Sequence, residues 1–117
     1  MSIEQVSLSI KRGDTWSRII YFEDIDGNRY DITGWTVFFT AKAKADDVDA
    51  SAVISKTITT FTNATNGEAE ISLTTTDTNQ TIGSYLFDIQ VKTNLNEIIT
   101  VLEGIITITK DVTIRTS

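Results

Sequence analysis

The sequence predicts an all-β fold of about seven antiparallel strands, and three observations carry that reading. Apolar and polar residues alternate over short runs, as with Val6, Leu8 and Ile10 against Ser7, Ser9 and Lys11. This period of two is the mark of a half-buried strand. Clusters of Gly, Asn and Asp punctuate the runs at short intervals, the spacing of an all-β domain. The third observation is the stretch Asp77–Val91, where a polar loop with Asp77 leads to Gly83 and Tyr85, with Phe87 two places on. That order is the pattern of a tyrosine corner, in which a buried phenol bonds back to the loop entering the sixth strand of an immunoglobulin-type sandwich. The expected fold is therefore an immunoglobulin-like β-sandwich with Asp77, Gly83 and Tyr85 as a structural corner. Phe87 stands where antibody domains carry a Cys, so the match is to the architecture.

Each element follows from the same alternation. The first strand runs through Val6–Ile10 and ends at Arg12-Gly13-Asp14. A second spans about Thr15 to Glu23, with Trp16, Ile20 and Phe22 on one face, Ile19 and Tyr21 on the other. Asp24-Ile25-Asp26-Gly27-Asn28 breaks it, and Asp-Gly followed by Asn is a hairpin signal because these residues tolerate positive φ. After a short Tyr30–Ile32 piece and a turn at Thr33-Gly34, Trp35–Lys44 forms a third strand facing Trp35, Val37, Phe39 and Ala41 one way. The loop Ala45–Ser51 carries Asp46, Asp47 and Asp49, a natural docking arm for a basic neighbour. Val53–Phe61 and Glu68–Thr74 are the fourth and fifth strands, joined through the turn Asn63–Gly67. One helical turn is expected near Thr76–Asn79, then a sixth strand over Ser84–Thr93 and the loop Asn94–Glu97. The last strand runs from Ile98 past Ile108 and changes phase near Glu103-Gly104, the sign of a bulge. The expected core comprises Val6, Leu8, Ile10, Ile20, Phe22, Trp35, Val37, Phe39, Ile71, Leu73, Tyr85, Phe87, Ile89, Val101, Ile106 and Ile108.

Composition excludes most chemistry. The 117 residues read as one domain, 1–117, long enough to bury a single core. Cys is absent, which removes disulfides, thiolate nucleophiles and zinc–thiolate sites. His is absent too, and with it the usual general base and the commonest metal ligand. No catalytic centre, metal or cofactor is expected. A net charge of −6 opposes nucleic-acid binding, which needs a basic surface to neutralise phosphates. The longest apolar runs are a few residues, so no membrane-spanning helix is expected. Met1-Ser2-Ile3-Glu4 lacks the features of a signal peptide, which places the expected product in the cytoplasm or in a particle assembled there.

The remaining motifs have plain structural readings. Arg12-Gly13-Asp14 matches an integrin tripeptide but reads as a turn centred on Gly. Asp24, Asp26 and Asn28 are spaced like the start of a calcium loop, yet Trp35 stands where the closing Glu belongs. Asn63-Ala64-Thr65 and Asn79-Gln80-Thr81 match the glycosylation triplet and read as loops. Glu68 and Glu70 continue into Ser72 and Thr74 as a solvated stripe. Trp16, Trp35, Tyr21 and Tyr30 would suit a sugar platform if exposed, although Trp35 reads as a core tryptophan.

The order of pieces also resembles a known family. Arg12-Gly13-Asp14-Thr15, Asp24-Ile25-Asp26-Gly27, Tyr30-Asp31-Ile32-Thr33-Gly34-Trp35, Asn66-Gly67-Glu68-Ala69, Gly83-Ser84-Tyr85 and Gly104-Ile105-Ile106-Thr107-Ile108 follow one another along nearly the whole chain. This arrangement resembles the N-terminal immunoglobulin-like domain of tailed-phage baseplate upper proteins and related virion modules. The resemblance implies a non-catalytic structural role in a phage virion or tail, through contacts with other virion proteins or in a homo-oligomer. The competing expectation is a carbohydrate-binding or adhesin-type β-sandwich module.

Overall fold

The computed structural model describes residues 4–43 and 52–110. The acidic loop with Asp46, Asp47 and Asp49 and the terminal segment 111–117 lie outside them. The described chain is all-β apart from two short helical turns. Its strands are β1 (Glu4–Lys11), β2 (Trp16–Tyr21), β3 (Thr36–Lys42), β4 (Ile54–Ile58), β5 (Glu68–Leu73), β6 (Gly83–Lys92) and β7 (Ile98–Thr109). The helical turns are a 3-10 turn at Ala64–Asn66 and α1 at Thr75–Thr78. Five strands form one sheet in the order β1-β7-β6-β3-β4, and β2 pairs with β5 in a second.

One pairing corrects the expectation of seven antiparallel strands: β1 runs parallel to β7, from Glu4 beside Leu102 to Lys11 beside Thr109. The two strands lie at opposite ends of the described chain, and after the turn at Gly13 the chain leaves for the other sheet. No hairpin therefore dictates their direction, and parallel strands need just such a long crossover connection. Alternation along β1 is the same for either direction, so the sequence pattern carries no trace of it.

A single cluster of buried side chains draws on both sheets. Val37, Phe39 and Ala41 from β3 and Phe87, Ile89 and Val91 from β6 face Ala69, Ile71 and Leu73 from β5. Phe39 and Phe87 stack with ring centroids 5.5 Å apart. Of the expected core, Val6, Leu8, Ile20 and Tyr85 are only half-buried. Val6 and Leu8 lie on an edge strand, where one flank has no neighbour among the described residues. Ile32, Ile54 and Leu102 join the core unforeseen. Ile32 belongs to no strand, yet its amide donates to the Ala64 carbonyl and its side chain is fully buried.

The irregularity in β7 sits slightly earlier than expected. Ile89 pairs with Leu102 while Gln90 pairs with Thr100, leaving Val101 as the extra residue. Val101 and Leu102 are consequently buried side by side, and the alternation resumes in opposite phase.

Candidate functional site

The sixth strand opens with the expected contact. Tyr85 Oη donates to the backbone carbonyl of Thr81, four residues upstream, and so closes the loop onto the strand that follows it. Gly83, the first residue of β6, has φ 151°, a conformation that L side chains rarely adopt. The phenol is half-buried rather than enclosed. Tyr85→Phe keeps the ring and removes only the hydroxyl. It is expected to cost about 1 kcal/mol of unfolding free energy in urea melts, the net value of one such bond.

Asp77 works beside the corner and takes no part in the tyrosine bond. Thr74 and Asp77 form a capping box on α1: Thr74 Oγ1 accepts from the Asp77 amide, and Asp77 Oδ2 accepts from the Thr74 amide at 2.7 Å. The same oxygen meets Lys56 Nζ at 2.7 Å, tying α1 to edge strand β4. Lys56 stands opposite Phe39, so its stem runs on the core side of β4. Thr78 is fully buried and donates to the Asp14 carbonyl at 2.7 Å, which fixes α1 to the turn after β1. Gln80 Nε2 adds a bond to the Val53 carbonyl. The loop between β5 and β6 is thereby attached to both ends of the molecule's N-terminal half.

Burial acts most strongly on the Asp77 carboxyl and raises its pKa. Hydrogen bonds from Lys56 and from the Thr74 amide and hydroxyl, together with the Lys56 charge, outweigh burial and hold it below the ordinary carboxylate value. A carboxyl depressed in the folded state stabilises it above its ordinary pKa. That contribution is lost as pH falls through the depressed value. Asp77→Asn is therefore expected to destabilise the protein at pH 7 and to match it more closely near pH 3. Denaturant melts at the two values check this.

The other sequence motifs are occupied as turns. Gly13 has φ 82°, and the Asp14 amide closes the turn onto the Lys11 carbonyl. Asp24 Oδ1 accepts from the amides of Asp26 and Asn28, both at 2.9 Å, so one oxygen of the calcium-like triplet already holds the hairpin. No cluster of three or more metal-ligating side chains occurs among the described residues. Asn63 caps the 3-10 turn by accepting from the Asn66 amide. Glu68 accepts from Asn66 Nδ2 at 2.8 Å, and Glu70 from Ser72 at 3.2 Å.

The four aromatic residues do not share one exposed face. Trp35 is buried, edge-on to Phe22 and tilted against Tyr30, with centroids 6.1 and 6.0 Å away. Tyr21 is half-exposed beneath the Arg29 guanidinium, which lies 4.3 Å from its ring centroid and pairs with Glu23 at 3.0 Å. Lys56, Thr78 and Arg29 were not legible as partners in the sequence. Only the Thr74-x-x-Asp77 spacing offered a local signal, that of the capping box.

Neither a family model nor a curated protein matches this chain.

Proposed function

We propose that this chain is an immunoglobulin-like, non-catalytic structural module of a phage virion or tail, working through protein–protein contacts. The supporting observation is the strand arrangement. The first strand joins the last in a sheet with β6, β3 and β4, the β2–β5 pair closes the opposite side of the core, and a tyrosine bonds back to the loop before β6. In the immunoglobulin-type sandwich the third, sixth and seventh strands likewise share one sheet, the second and fifth lie together in the other, and a tyrosine near the start of the sixth bonds back upstream. The order of turn and core segments that resembles baseplate modules supplies the setting. A sandwich of this kind offers rigid edges and faces to neighbours.

The test is co-purification. Antibody to the chain should detect it in density-purified phage particles induced from the source strain, at a fixed ratio to the other tail proteins. Its absence from intact particles would remove the virion role. The carbohydrate-binding reading has weaker support, because Trp35 is buried. Glycan-array binding that is lost in Trp16→Ala would restore it.

A further inference from the structure

The four strand edges of the described molecule are not alike, and the difference selects one of them as an interface. Unpaired edges invite strand addition, and proteins guard them with short strands or with charges pointing toward the core side. β4 has five residues and carries Lys56 on the core side, pinned by Asp77. β2 carries Arg18 opposite the fully buried Ile71, so a charge stands in the core-side register there too. β5 is already bridged at its start, where Asn63 and Glu68 exchange backbone bonds. β1 has no such guard at its centre, because its charged residues, Glu4 and Lys11, stand at its two ends. It is eight residues long, free of Pro, and uncharged from Val6 to Ile10. Its core-side residues Val6 and Leu8 are only half-buried, and Ser7 and Ser9 are exposed on the outer face.

We infer that β1 is the self-association edge of this chain: two copies pair their β1 strands antiparallel about a two-fold axis at Leu8. The two five-stranded sheets then continue as one. A second copy, rather than a foreign strand, is favoured by the sequence of the edge itself. A two-fold contact requires that residue i meet j and j meet i. Val6-Ser7-Leu8-Ser9-Ile10 reads the same by residue class in both directions. The two-fold register sets Leu8 on Leu8, Ser7 on Ser9, and Val6 on Ile10 of the second copy. Apolar residues thus meet apolar ones on the core side, and hydroxyls meet on the outer side. Continuing outward, Lys11 comes into register with the uncharged Gln5, so the strand pairing sets no like charges opposite each other. The added strand covers the surface that Val6 and Leu8 leave exposed. The net charge of −6 on each copy opposes approach at long range, so the pairing tightens as salt screens it.

Sedimentation velocity of the full chain tests this, at micromolar and hundred-micromolar concentration, in low and high salt. A dimer is expected that strengthens with both. Leu8→Lys gives β1 the guard that β2 and β4 possess and should raise the dissociation constant about tenfold or more. A thermal melt checks that this variant is folded. The chain has no Cys, so Leu8→Cys places one thiol per copy at the two-fold axis. Opposed Cβ atoms about 5 Å apart lie near disulfide reach, so mild oxidation should cross-link this variant into dimers. Ser55→Cys on the β4 edge should remain uncross-linked. A strict monomer under every condition overturns the pairing, as does a dimer indifferent to Leu8→Lys or one trapped through position 55. Those outcomes leave the virion-module reading standing, since that reading fails separately by absence from purified particles.

Discussion

Replacing Gly104 with alanine is expected to detach β1 from β7 and to give the largest loss of stability of any glycine substitution in the sheet. Gly104 has no positive φ, so its role is not conformational. It pairs with Val6, and a Cβ there would overlap the Val6 carbonyl and come within 3.0 Å of the Val6 amide nitrogen. Both obstacles are backbone atoms, which cannot swing aside as a side-chain tip would. The strand must therefore move as a unit. Losing β1 exposes Ile10, now 4 % accessible, together with the covered portions of Val6 and Leu8. At about 1.5–3 kcal/mol for each fully buried aliphatic side chain, the loss should reach about 3 kcal/mol before the ladder bonds are counted. Amide hydrogen exchange locates the effect: protection should fall across Val6–Lys11 and persist in β3 and β6. Uniform loss of protection would mean that β1 unfolds only with the whole domain. The same variant should also lose the β1-mediated dimer.

Trp35→Ala is expected to cost about 3–5 kcal/mol, the range for deleting a large buried aromatic. Natural domains hold only about 5–15 kcal/mol in total, so the variant should be substantially unfolded at modest urea concentration. Trp35 closes the end of the core where the loop from the β2 hairpin returns. Its ring lies against Phe22 and Tyr30, and its amide donates to the Ile32 carbonyl at 2.9 Å. Truncation leaves a cavity walled by Phe22 and by the Tyr30 segment, whose amide is bonded to the Phe22 carbonyl. That bond limits how far the walls can collapse, which is the condition under which a cavity costs most. Trp35→Phe should recover most of the loss. Equal destabilisation by the two substitutions would mean that a specific indole contact, rather than volume, supports this end of the core.

Much of the fold was legible in the sequence because alternation reports directly on which side of a strand faces the core. Val37, Phe39 and Ala41, or Ala69, Ile71 and Leu73, are buried at every second position, as the pattern required. Turn chemistry was equally local. Gly27 and Gly67 adopt positive φ where hairpin and cap need it, and Asn63 and Asp24 hold their own turns. The tyrosine contact could be anticipated because its partners lie four residues apart. Tertiary structure alone decided what joins distant segments. The parallel union of β1 with β7, the Lys56–Asp77 ion pair and the Thr78–Asp14 bond all link positions far apart in the chain. No residue pattern along one strand encodes the direction of its neighbour. The burial of Ile32, outside any strand, was hidden for the same reason. Arg18 shows the limit most plainly. Its position in β2 shares the face of half-buried Trp16 and Ile20, yet it stands at an edge open among the described residues, where a long side chain can reach water. Periodicity specifies which face of a strand is apolar, whereas the neighbours that cover or expose that face are set by packing across the whole chain.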